Sequence, residues 1–374
     1  MEAWTLYGPG HQLLSYQFME HFDFSVRGFR LAHLLINGIA VFLMFSTFML
    51  ALGLRTGITA IVCALFVSPL LLTDFFGWGV LFRWFGPLLV GAVLPALLWV
   101  ERDPAMRLTA AGLLGCSAGA LAWFASENLL TSGITAALIL VAAVARRRTT
   151  WSTVVGLGLV FLVSTLTTWL LLILALVGVE HLHGAVSMFF RGGSLVASGL
   201  SNTPWTDYGG QWGIAYYFTP YLVVIAFALA FNARLQSTIA LEIRVGQIVG
   251  VGAAAASLVP ITLLRADYYH FLGPSIALAP LMALCVLHLP ELLSRRVLHR
   301  EMIRAGILLV VFIVYFLPHM LPGSLGPANP LKHLSQTWLS LRGIEVARQI
   351  MTTKDTTPAL GETRAVSRPS GVRT

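Results

Sequence analysis

The stretch Arg265-Ala266-Asp267-Tyr268-Tyr269-His270 lies between two apolar runs, Val245–Leu264 and Phe271–Leu293. Each run is about the 20 residues that a helix needs to cross the hydrocarbon core of a bilayer. The stretch therefore reads as a short turn at a membrane surface, carrying a cation, an anion, an imidazole and two tyrosines. Charge in such a place has to be wetted, paired or bound to something. One reading is an interfacial anchor: Arg265 snorkels, the tyrosines join the aromatic belt and His270 caps a helix. The other is a functional site, and the crowding of Arg265, Asp267 and His270 into one turn favours it.

Composition agrees with the membrane reading. The 374 residues are 57% hydrophobic and 11% charged, and the mean hydropathy is +0.80. A soluble domain carries about 25% charged residues. The net charge of +8 does not point to nucleic acid, because the cations sit in short loops between apolar runs, which is the positive-inside pattern. Cys63, Cys116 and Cys285 each fall inside an apolar run and form neither a disulfide framework nor a metal-ligand cluster. No secretory signal peptide is legible; the first apolar run starts near Arg30, after a polar, aromatic-rich leader.

Taken in order, the apolar runs predict an all-α, polytopic bundle of about ten transmembrane spans. They cover 30–53, 57–73, 85–100, 108–124, 129–145, 152–179, 211–233, 245–264, 271–293 and 305–322. Basic residues mark the inner loops: Arg146–Arg148; Arg295, Arg296, Arg300 and Arg304; Arg234 and Arg244; Arg102 and Arg107. With these inside, the alternation closes. It puts 1–29, 73–84, 180–210, 265–270 and the tail after Pro322 outside. The expected organisation is an outer leader loop (1–29), a helix bundle (30–322) with a long outer loop (180–210), and an outer tail (323–374). Trp338, Leu341, Ile344, Ala347 and Met351 give the tail one short helix, and the composition after Thr352 reads as disordered. An outer amino terminus with no leader implies unaided translocation or a preceding helix. Gly115-xxx-Gly119 and Gly246-xxx-Gly250 are spaced for close helix packing. His181 and His183, two apart, do not face one metal on a helix.

The ionisable residues gather on the outer side, and the deep membrane is nearly free of charge. A transporter places charge near the bilayer midplane on broken helices. Gathering at one interface suits an enzyme acting on a lipid-linked substrate. Such a reaction needs a carboxylate as general base or metal ligand, and cations to hold a phosphate. Asp74, in Thr73-Asp74-Phe75-Phe76-Gly77-Trp78, is the candidate carboxylate, with a helix-end cap as its competing reading. Arg83, Arg191 and Arg265 are the candidate cations, with snorkelling as theirs. Glu127 sits in a tight outer turn and reads first as solvated.

Tyr7-Gly8-Pro9-Gly10, then Phe24-Ser25-Val26-Arg27 and Arg30-Leu31 opening a span, resembles the first outer loop of GT-C type membrane glycosyltransferases. Arg265-x-Asp267-xx-His270, followed by Pro274 and Pro280, looks like the turn of uncharacterised bacterial members of that group. The resemblance implies a GT-C-like bundle in the bacterial inner membrane that moves a sugar from a polyprenyl-phosphate donor to an acceptor on the outer face. It implies that Tyr7 and Gly8 shape the donor groove, that Arg265 and His270 bind phosphate, and that Asp267 orients Arg265. The family's catalytic Asp precedes its YGPG element, whereas only Glu2 precedes Tyr7 here. That leaves a truncated reading frame, a degenerate member, or the use of Asp74. Two rival functions stay open: a transporter or flippase for a lipid-linked glycan, and a non-catalytic partner subunit. The cofactor is unassigned, with room for a divalent metal; the partners expected are the lipid-linked donor and membrane lipid.

Overall fold

The computed structural model describes residues 26–67, 81–100, 103–187, 239–264, 268–294 and 296–313, with short pieces at 16–17 and 19–21. All of these belong to one compact unit, Met1–Asn329. The described residues form helices and turns, with no strand among them. The helices are α1 (Val26–Leu52), α2 (Leu54–Val67), α3 (Leu81–Trp99), α4 (Pro104–Leu121), α5 (Glu127–Ala145), α6 (Trp151–Val177), α7 (Ile239–Leu264), α8 (Tyr268–Leu293) and α9 (Val297–Val311), with a 3₁₀ turn at Val179–His181.

Local chemistry sets several boundaries. Asp103 caps α4: its carboxylate accepts from the Ala105 amide at 3.1 Å, and Pro104 fills the first helical position, where no N–H is needed. Thr150 caps α6 through the Thr153 amide. Gly53 separates α1 from α2 at φ +83°, and Gly178 ends α6 at φ +73°, both in the region where a side chain is strained. Arg147 takes φ +54° after α5. The Arg147 and Arg148 amides donate back to Val144 and Ala143, closing a Schellman turn in which glycine is usual.

Burial runs opposite to that of a water-soluble bundle. α7 is sheathed on all sides: Val245, Ile248, Val249, Val251, Ala254 and Leu258 have no exposed surface. α6 is the reverse, with Val155, Leu159, Leu162, Val163, Leu166, Leu170 and Leu171 all exposed. A stripe of aliphatic side chains that long is tolerated where the surrounding solvent is lipid. Three helical stretches are long and apolar enough to cross a membrane, Leu35–Leu52, Glu127–Ala145 and Trp151–Val177. The chain is a helical membrane protein.

Both glycine pairs sit at helix crossings. A Cβ on Gly115 would strike the Phe161 carbonyl, and one on Gly119 the Thr165 carbonyl. α4 and α6 therefore run side by side in the same direction, backbone against backbone. A Cβ on Gly246 would enter the Trp99 ring, and one on Gly250 would meet the Gly91 carbonyl and the Pro95 ring. Pro95, inside α3, donates no bond to that carbonyl, so Gly91 and Gly250 can approach.

Contacts between helix ends order the bundle. The ends of α1, α3, α5 and α8 meet the starts of α2, α7 and α9 at one end, through Arg244 to Leu52, Thr56 to His288, Arg304 to Val286 and Trp99 against Gly246. The starts of α3 and α5 and the end of α4 meet at the other. The loops expected to share the inner side thus share one end. α6 finishes at the end opposite the start of α7. The apolar run 211–233 falls in that interval, outside the described residues.

Candidate functional site

The turn that opened the sequence reading joins α7 to α8. Arg244 near the start of α7 and His288 near the end of α8 lie within electrostatic reach at the basic end. The end of α7 and the start of α8, which flank 265–267, are therefore at the opposite end. The Thr135 and Ser257 hydroxyl oxygens lie 2.9 Å apart, which sets the second half of α7 beside the middle of α5. The start of α3, with Arg83 in its first turn, lies at this same end. So do the end of α2 and the start of α3, which flank 68–80 and with it Asp74.

At this end one side chain ties three helices together. Asn128 has no exposed surface. Its Nδ2 donates to the Phe82 carbonyl at 3.0 Å and to the Leu121 carbonyl at 2.9 Å. Its Oδ1 accepts from the Gly86 amide at 3.2 Å. Gly86 has to be glycine here, since a Cβ would overlap Asn128 Oδ1 and Ser132 Oγ. Phe82 stacks on Phe124 with ring centroids 4.7 Å apart, and Ile36 of α1 closes the cluster. The clamp holds the first turn of α3, and so the Arg83 backbone, fixed against α4 and α5.

Of the residues expected to carry chemistry, Tyr7, Gly8, Asp74, Arg191, Arg265 and Asp267 lie outside the described residues. Arg83 and His270 are placed as helical residues in the first turns of α3 and α8. Glu180, His181 and His183 are exposed just after α6. No group of three metal-ligating side chains occurs among the described residues.

The basic end carries polar chemistry that the sequence reading missed. Glu242, 7% exposed, pairs with Arg148 and, at 3.8 Å, with Arg146. Arg244 Nη1 donates to the Leu52 carbonyl at 3.1 Å and to Gln247 Oε1 at 2.8 Å, and Gln247 Nε2 donates to the Ala51 carbonyl at 2.9 Å. These bonds satisfy the last carbonyls of α1, which have no partner within the helix. The His288 ring bonds the Thr56 hydroxyl at 3.1 Å and lies 3.8 Å from Glu291. Arg244, Arg55 and Arg304 all act electrostatically on that ring. The signal was available: Gln247 and His288 are the polar interruptions at the basic ends of two apolar runs, and Glu242 is a lone acid among arginines.

No protein-family model matches the chain. No curated protein matches it, and no solved structure does.

Proposed function

We propose that the chain is a multi-pass membrane glycosyltransferase of GT-C-like architecture, with about ten spans, which takes a sugar from a polyprenyl-phosphate donor at the outer face of a bacterial inner membrane. Asp74 acts as base or metal ligand. Arg265 and His270 hold the phosphate, with Arg83 and Arg191 as further cations. Asp267 orients Arg265, and Tyr7 and Gly8 shape the groove. The observation that carries the reading is the convergence of helix ends. The flanks of 68–80, the first turn of α3, the end of α7 and the start of α8 all come to the end of the bundle opposite the arginine-rich loops. Positive loops mark the cytoplasmic side, so the converging end is the outer one.

The test is the planar fork of Arg265. A guanidinium can hold phosphate by two parallel charge-assisted bonds, which a lysine cannot reproduce. Loss of one such bond costs about 1.5–3 kcal/mol, so Arg265→Lys weakens binding of a polyprenyl-phosphate analogue about ten- to a hundredfold while folding is retained. Equal affinities would make Arg265 a membrane anchor and remove the donor site. The orientation is checked separately: an impermeant thiol reagent added from outside modifies Tyr269→Cys and spares Arg147→Cys.

A further inference from the structure

We propose that the basic end of the bundle binds the phosphate headgroup of an anionic membrane lipid between Arg55 of α2, Arg244 of α7 and Arg304 of α9. Hydrogen bonds bring the three guanidiniums to one place: Arg55 follows Leu52, whose carbonyl accepts from Arg244 at 3.1 Å, and precedes Thr56, which bonds the His288 ring at 3.1 Å, while Arg304 bonds the Val286 carbonyl two residues before His288. Cations brought that close repel one another unless an anion lies among them. The carboxylates nearby are Glu291, half-exposed and 3.8 Å from His288, and Glu301, which is engaged by Arg304 Nη1 at 2.5 and 2.7 Å. They do not use up the donors. The Arg55 side chain is exposed and donates no hydrogen bond within the described residues. Arg244 commits only Nη1. Arg304 commits Nε to the Val286 carbonyl and Nη1 to Glu301. One whole guanidinium fork, the Nε–Nη2 edge of Arg244 and Nη2 of Arg304 remain for a ligand, and a phosphate oxygen is the acceptor such donors fit.

The surroundings select lipid over free phosphate. Leu50 and Leu54, 87% and 65% exposed, lie on either side of the α1–α2 break beside Arg55. Val297 and Leu308, 70% and 50% exposed, lie three residues from Arg300 and four from Arg304 on α9, on the same faces of the helix as those arginines. Cations at a helix end with bare aliphatic side chains next to them match a molecule that is anionic at its head and apolar below it. Basic pockets between helices on the cytoplasmic side hold anionic headgroups in this way. This site is at the opposite end from the proposed donor site and stands without it.

The experiment uses the purified full chain in zwitterionic detergent. Thermal unfolding is followed as phosphatidylglycerol replaces phosphatidylcholine at constant total lipid, with inorganic phosphate as a separate arm. Phosphatidylglycerol is expected to raise the midpoint and phosphatidylcholine to leave it unchanged. A basic side chain near an anionic headgroup contributes about a factor of five in affinity, so Arg55→Gln should shift the titration about fivefold. Arg55→Gln combined with Arg304→Gln should shift it on the order of twentyfold by the same reckoning. Arg55→Gln alone keeps every hydrogen bond of the fold, so it decides the matter if the double variant does not fold. Indistinguishable lipids, or an unchanged titration in Arg55→Gln, would overturn the proposal. So would inorganic phosphate reproducing the lipid's shift at equal concentration, which would make the site one for a soluble anion.

Discussion

Replacing Asn128 tests whether one buried amide organises the end of the bundle opposite the arginine-rich loops. The side chain makes hydrogen bonds to Phe82, Leu121 and Gly86, but they are not equal. The Leu121 carbonyl already accepts from the Phe124 and Ala125 amides at 3.0 and 3.3 Å, so losing Nδ2 costs it little. The bonds to Phe82 and Gly86 bridge α5 to α3 and have no substitute across that interface. At about 1 kcal/mol net for each bond lost, plus the void left by the amide, Asn128→Ala should cost about 2–4 kcal/mol. Asn128→Asp is the sharper probe. It keeps the volume and an acceptor for Gly86, yet it turns the donor into an acceptor facing two carbonyls and puts a charge where no surface is exposed. An unmet buried charge costs more than an unmet amide, so Asn128→Asp should be the less stable of the two at neutral pH. The assay is unfolding of the purified protein in detergent at a fixed scan rate, followed by tryptophan fluorescence. Trp84, 1% exposed on α3 beside the clamp, is a suitable reporter. If Asn128→Asp unfolds with the wild type, or if alanine proves worse than aspartate, the three-helix clamp is wrong.

Glu242→Gln should destabilise by about 2–3 kcal/mol, below the usual range for a broken buried pair because Arg148 is one-third exposed. Adding Arg146→Met should recover part of the loss; strictly additive effects in the double-mutant cycle would deny the pairing. Arg147→Gly should raise stability by about 1 kcal/mol, since it removes a side chain from left-handed backbone; a lower unfolding midpoint would show that the turn is not held there. Gly115→Ala should cost about 1–3 kcal/mol by forcing α4 off the Phe161 carbonyl. Gly156→Ala, with open space around it, should instead be neutral or gain up to about 1 kcal/mol. Changes of the same sign at both glycines would refute the close α4–α6 crossing.

The limits of the sequence reading follow from what hydropathy measures. Apolar runs locate where a chain can sit in lipid, so each expected span outside 211–233 overlaps a described helix, with 68–73 and 314–322 outside the described residues; three of the helical stretches are long and apolar enough to cross a membrane. Helical hydrogen bonding does not stop where lipid stops. α7 was expected from 245 and begins at Ile239, because Glu242 and Arg244 interrupt the apolar run but continue the helix. Pairing with Arg148 and capping of Leu52 bury them. α9 was expected from 305 and begins at Val297, carried through His299, Arg300, Glu301 and Arg304 with a Glu301–Arg304 pair one turn apart. The glycine pairs were legible because spacing alone puts them on one face. Asn128 was not, because its value depends on three helix ends meeting, and nothing in the neighbouring letters encodes that meeting.

The placing of polarity then bears on function. Inside the described bundle the buried polar groups are mostly hydroxyls and amides that bond their own helix or its neighbour, such as Thr131, Thr135, Thr165 and Ser257. Bonded back onto backbone carbonyls, they offer a permeating substrate few open donors, and in the described helices other than α9 the ionised groups stay towards the ends. A carrier moves charge through its centre and needs polar groups there to replace water. A lipid-dependent transferase needs only a rigid frame and a polar surface at the depth of the headgroup. Helices locked by glycine contacts and by the Asn128 clamp suit the second task. The cost is that the frame cannot rearrange easily, and that cost is small where the substrate arrives by diffusing in the plane of the membrane.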